Sequence, residues 1–248
     1  MVRYIVGILL VAAVFAVAQH QHHDMSSMPQ QQVQAPDAMD PAMPAMQHRH
    51  NNMGPHMRLT SLRPPAADRQ RADSIVQSAR KVMERYADYR EAMADGYRIF
   101  LPDLPQKMYH FTNYRYAIEA AFGFDPEHPT SLLYEKTGGN GWKLVGLMYT
   151  APARSSMDEL DSRVPLGIAQ WHEHTNFCAA PKGRESEYFG KSPKFGLLGS
   201  IWTKEECEKA GGTFRPQMFG WMVHVYPNEK TQDAIWSVER QMEHHHGE

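Results

Sequence analysis

Trp171-His172-Glu173-His174 places two imidazoles two residues apart, in a segment that alternates apolar and polar side chains from Ile168 to Thr175. On a strand, that spacing projects both rings from one face about 7 Å apart along the chain, so both can reach one ion. A further ligand must then come from another strand. His224, in the strand-like run from Trp221 to Tyr226, and His110, near the end of Lys107 to Phe111, are placed to supply it. Three or four nitrogen ligands of this kind predict a transition-metal site, with copper as the expected ion and zinc as the alternative. A single strand histidine is ordinarily a hydrogen-bonded structural residue, so it is the set that points to a metal. His128, in Pro126-Glu127-His128-Pro129, falls in a turn-like stretch and reads as a surface residue.

The carboxylates near these histidines are less pointed. Glu173 faces away from His172 and His174 on a regular strand and turns toward them only through a bulge. Glu135, closing Leu132-Leu133-Tyr134-Glu135, is a second possible acid or ligand; for both, the ordinary alternative is a solvated carboxylate. The chain has no Ser nucleophile elbow, no phosphate-binding Gly loop and no His-Glu-x-x-His, which leaves an enzyme with a protein nucleophile without support. Twenty-six Lys and Arg against 28 Asp and Glu give a net charge of −2 and argue against a nucleic-acid partner.

A second metal signal lies in the N-terminal stretch. Seven of the 16 methionines, Met25, Met28, Met39, Met43, Met46, Met53 and Met57, fall between Asp24 and Met57, together with His48, His50 and His56. Thioether sulfur is soft and carries no proton to lose, so it favours Cu(I), while imidazole adds affinity for Cu(II). No Phe, Tyr or Trp occurs from Gln19 to Ala66, so this stretch is expected to be a disordered tail; a bland low-complexity linker is the alternative.

Ahead of the tail, Arg3, the 13-residue apolar run from Ile5 to Val17 and Ala16-Val17-Ala18 have the layout of a cleaved signal peptide ending at residue 18. The run is too short to span a bilayer and no second one follows. A periplasmic or secreted protein is therefore expected, with no membrane span after cleavage. In an oxidising compartment the two cysteines, Cys178 and Cys207, read as a disulfide, with paired zinc thiolates as the alternative.

These residues need elements to hold them. Ile75, Val76, Ala79, Val82, Met83, Tyr86, Tyr89 and Met93 recur at helical steps, with Gly96 as the stop. Asn113 caps a short helix reaching about Phe122. Ser131 to Lys136 and Trp142 to Thr150 flank a Gly-rich turn as a hairpin. Met222, His224 and Tyr226 share a strand face. Thr203 and Glu206 have capping-box spacing before Gly211-Gly212, and a last helix is predicted around Asp233 to Met242, before His244-His245-His246. The expectation is a single α+β domain over residues 67–242, with a mainly antiparallel sheet and flanking helices, between the tail at 19–66 and a His-rich end at 243–248.

Three resemblances bear on this reading. Gly167, four residues, His172 and His174 resemble the first motif of cupins, one residue short; Gly220, three residues, His224, three residues and Asn228 resemble the second, one residue long. The resemblance implies a metal held by the two strands. The carboxylate expected four or five residues after His174 is replaced by Cys178 and Ala179, which removes the usual fourth ligand. Tyr109-His110-Phe111-Thr112-Asn113, Asp125-Pro126, Leu132 to Glu135, His172 to Cys178 and Phe219 to Tyr226 resemble an uncharacterised family of exported bacterial proteins with a multi-His body. The tail is similar to the Met/His-rich segments of copper-handling proteins. The expected function is exported copper binding and handling, with transfer to a periplasmic metal-trafficking partner. The alternative is a mononuclear Cu or Zn enzyme, a cupin-like oxidoreductase or hydrolase with an open coordination position.

Overall fold

A computed structural model describes residues 54–64, 68–103, 106–139, 141–238 and 240. The chain divides into two units, Met1–Met46 and Gln47–Glu248, and every described residue belongs to the second. Its seven strands are β1 (Met57–Leu59), β2 (Arg98–Ile99), β3 (Met108–Thr112), β4 (Ser131–Thr137), β5 (Gly141–Ala151), β6 (His172–Ala179) and β7 (Thr213–Val225). They form one antiparallel sheet in the order β1-β6-β7-β5-β4-β3-β2. Strands β2 to β5 follow one another as a meander. The chain then crosses to lay down β6, and β7 returns between β6 and β5. This insertion brings His172 and His224 onto adjacent strands.

The sheet has two unlike faces, because side chains alternate across a strand. One face packs against helix α1 (Arg69–Arg85), whose buried stripe is Ala72, Ile75, Val76, Ala79, Val82 and Met83. These meet Phe111, Leu132, Tyr134, Leu147, Trp171, Trp221 and Val223 in the main core. Each such side chain contributes roughly 1.5–3 kcal/mol by leaving water. The core also takes in four tyrosines whose hydroxyls all donate hydrogen bonds. Tyr86 donates to Asp95, Tyr97 to the Pro129 carbonyl, Tyr134 to the Tyr86 carbonyl and Tyr149 to the Pro126 carbonyl, at 2.9, 3.0, 2.6 and 2.8 Å. Burial pushes each phenol above its ordinary range, which keeps the proton that makes these bonds.

Four local expectations are corrected. The apolar stripe expected as one helix is split into α1 and α2 (Tyr89–Ala94), because the Asp88 side chain accepts the Arg90 N–H and starts a new helix; Gly96, at φ 96°, follows its end. Strand β6 begins at His172, because the Ile168 and Ala169 amides turn back onto the Pro165 carbonyl. The helix expected around Asp233 to Met242 is interrupted: a single turn, α6 (Gln232–Ile235), capped by Thr231, is followed by non-helical Trp236 to Val238, and residue 240 is helical again. The tail boundary at Ala66 is also too late. Met57-Arg58-Leu59 pairs with Glu173 and its neighbours as β1, and the Thr60 amide donates to the Trp171 carbonyl. The other helices are α3 (Tyr114–Glu119), doubly capped by Asn113, α4 (Met157–Arg163), which carries a Ser156/Glu159 capping box, and α5 (Lys204–Lys209), capped by Thr203.

Cys178 and Cys207 form a disulfide, with 5.6 Å between their Cα atoms, that ties β6 to α5. Among the described residues no helix is long and apolar enough to cross a membrane. The segment read as a signal peptide, the tail residues Met25, Met28, Met39, Met43, Met46, His48, His50 and Met53, and His244–His246 lie outside the described residues.

Candidate functional site: a histidine row on a cavity floor

The second face of the sheet carries the histidines. His172 and His174 project from β6, His224 from β7 and His110 from β3, and all four line one cavity of about 620 Å³. Their rings run in a row. Ring centroids are 5.5 Å apart for His174 and His172, 5.2 Å for His172 and His224, and 5.7 Å for His224 and His110. The four histidines singled out by their spacing are thus brought together by the fold, from three strands distant in sequence. Their number predicts a shell around one ion, which they do not form. Among the described residues no group of three or more His, Cys, Asp or Glu side chains is arranged to hold a metal ion. A row presents its donors as neighbouring pairs, whereas a chelate of three or four imidazoles needs them to converge on one point.

Around the row the cavity is mostly apolar. Helix α3 forms one wall with Tyr114, Ala117 and the following Ala121, while Met148 and Met222 share the floor with the imidazoles. At the far end the floor turns to hydroxyls: Thr112 bonds Ser131 at 2.9 Å and Thr130 bonds Thr150 at 2.7 Å. The rim holds two bulky residues in the left-handed backbone region, Leu101 at φ 51° and Phe219 at φ 63°. Each costs about 1–2 kcal/mol relative to ordinary geometry. Phe219 sits in an irregularity of β7, where His172 and His174 pair with Met222 and Met218, so two residues of β6 span four of β7. This turn of the chain sets the Phe219 ring against Phe100, at 6.0 Å, across the cavity edge.

No protein family, curated protein or solved structure matches this chain.

The carboxylates do not join it. Glu173 is fully buried but points to the other side, where Arg58 and the Gln217 amide both bond it. Arg58 in turn lies over Trp221, a residue of the helix-side core. The irregular pairing expected as the one way to swing Glu173 toward the histidines does occur, but the extra residues are on β7, so Glu173 keeps its direction. Glu135, opposite Met108 and Lys143, is not among the cavity-lining residues. His128 stacks on Tyr116 at 4.2 Å beside Glu119 and lines a separate depression of about 360 Å³.

Two residues assigned to the tail belong to the body. His56 is buried and its Nε2 donates to the Gly199 carbonyl at 2.7 Å, and Met57 is the cross-strand partner of His174. The apolar-charged-apolar alternation of Met57-Arg58-Leu59 was the available signal for this. Met148 and the α3 wall went unnoticed as site components because nothing in the hairpin pattern distinguishes a cavity-facing methionine from a core one.

Proposed function

We propose that this protein binds copper on the floor of the cavity through neighbouring imidazoles of the His174–His172–His224–His110 row, and handles the ion outside the cytoplasm. The observation that carries the reading is the arrival of four histidines from three strands, at ring spacings of 5.2 to 5.7 Å, on one apolar floor. Two imidazoles that share one ion with metal–nitrogen bonds near 2.0–2.1 Å have ring centres roughly 5–6 Å apart. Zinc is the alternative ion; copper is favoured because a neighbouring pair of imidazoles falls short of the three or four protein ligands of zinc sites, while the adjacent thioethers suit Cu(I). The Met/His-rich stretch leads directly into β1, whose first residue faces His174, so ions gathered there have a covalently short path to the row. Export is supported by the apolar N-terminal run and by the disulfide, a bond that persists in oxidising compartments. A periplasmic metal-trafficking partner would receive the ion.

The cavity itself supports a second reading. At about 620 Å³ it has room for a small substrate beside a bound ion, as in a cupin-like mononuclear enzyme with an open position.

Titration of the full-length protein with Cu(I) under argon, and with Cu(II) and Zn(II), tests the main reading. The His172→Phe/His224→Phe double variant should lose one equivalent of bound copper while the N-terminal stretch retains its own. Unchanged stoichiometry and affinity would refute copper binding by the row.

A further inference from the structure

Resting on that copper reading, we propose that Met148 and Met222 are thioether ligands which join His172 and His224, so that the ion held is Cu(I). His172 and His224 are the closest pair in the row. In the sheet register Met222 is directly opposite His172, and Met148 is directly opposite His224. Directly opposite residues of antiparallel strands share a face, with Cβ atoms about 4.5–5.5 Å apart. Met222 also precedes His224 by two residues on β7, so it lies on the same face of its own strand. Two imidazoles and two thioethers thus occupy neighbouring positions on three adjacent strands.

The surroundings select among ions. All four side chains are buried, at 1% exposure for His172, 4% for His224, 8% for Met148 and 6% for Met222. Met148 and Met222 belong to an apolar cluster with Met108, Leu133, Val145 and Tyr226. The set carries no negative charge, since Glu173 is turned away to Arg58. A buried, neutral, sulfur-containing set compensates a dication poorly, because burying charge without a counter-charge is costly. A monovalent soft ion suffers least from that cost and gains most from sulfur. The set also fits the absence, among the described residues, of a three-donor nitrogen or carboxylate group: with thioether partners, Cu(I) needs only the adjacent imidazole pair.

The test uses full-length protein in which Met25, Met28, Met39, Met43, Met46 and Met53 are replaced by leucine, so that sulfur from the N-terminal stretch is removed. This parent is titrated with Cu(I) under argon against a colorimetric Cu(I) chelator, and X-ray absorption at the copper edge reads its ligands. One tightly held Cu(I) with both nitrogen and sulfur neighbours is expected. Met148→Leu/Met222→Leu should weaken Cu(I) at least about tenfold, because losing even a residue that only supports a ligand costs about 10–100-fold, and abolish the sulfur signal. Leucine conserves volume, so the fold is expected to survive, and near-ultraviolet circular dichroism checks it. Should the double variant not fold, Met148→Leu and Met222→Leu singly carry the same test. A nitrogen-only shell in the parent, or unchanged Cu(I) affinity in the methionine variants, overturns the thioether assignment while leaving copper binding by histidine standing. No Cu(I) in the parent, or retention unaffected by His172→Phe, overturns the underlying reading as well.

Discussion

The two faces of the sheet are built from the same strands and do opposite things. On the helix side, Trp171, Leu147, Phe111 and Tyr134 interlock with α1, and the hydroxyls of Tyr86, Tyr97, Tyr134 and Tyr149 each bond a neighbour. On the cavity side the same strands present His172, Met148 and His110 to an open space. Neighbouring residues of one strand, Trp171 and His172, thus serve different ends: the first fills volume and the second lines it. With copper bound as proposed, stability and chemistry are separated by the pleat, so changes on one face should leave the other's property largely intact.

The largest expected effect is on the packed face. Trp171→Ala should cost roughly 3–5 kcal/mol, the usual penalty for truncating a fully buried aromatic side chain. Denaturant unfolding measures it, and a loss below 1 kcal/mol would mean that this face is not the source of stability. Next is the disulfide. Replacing Cys178 and Cys207 by serine opens a loop with a sequence separation of 29 and should cost roughly 3–4 kcal/mol on the loop-entropy estimate. The shift in unfolding midpoint between the variant and the oxidised protein reports it. An intermediate effect is expected at Asn113, which accepts the Arg115 and Tyr116 amides and donates to the Asp95 carbonyl. Asn113→Ala should cost about 1 kcal/mol as a lost helix cap. It should also loosen the cavity wall, which amide hydrogen exchange in residues 114–119 would detect.

The smaller effects sharpen the contrast. His224→Phe should change stability by less than about 1.5 kcal/mol, as expected for a swap of similar volume, while removing copper from the row. A large loss of stability with full copper retention would invert the assignment of the two faces. Smallest of all, His128→Ala should stay within about 0.5 kcal/mol, as for most partly exposed positions, and leave copper binding unchanged. Its ring stacks on Tyr116 outside the cavity, with 38% of the side chain exposed.

How far these faces were legible in the sequence depends on the element. The hairpin of β4 and β5 and the strand around His224 follow from period-two patterning and Gly-rich turns, which are local. The placement of His110 beside His224 is non-local. It depends on β7 entering between β5 and β6, and no local pattern encodes strand order. The end of the tail was misjudged for a related reason. The three residues of β1 bury little by themselves and gain order only from β6 as a partner. Within the site, His-x-His was legible because alternation puts both rings on one face. The methionines beside them were not, since a thioether against an apolar strand looks the same whether it packs or ligates.

The sheet ends in its two shortest strands, β1 with three residues and β2 with two. Long, flat borders invite other chains to add strands, and short ones give an incoming strand little to grip. Among the described residues, the border on the histidine side is covered by the segment from Pro55 to Thr60, held through main-chain bonds to Thr175 and Trp171, side-chain bonds from Thr175 and Asn176, and the register with His172 to His174. Loss of that segment would leave the edge of β6 unpaired. The exposed β6 would then become a template for sheet-to-sheet growth, making solubility hostage to a few residues at the root of the N-terminal stretch.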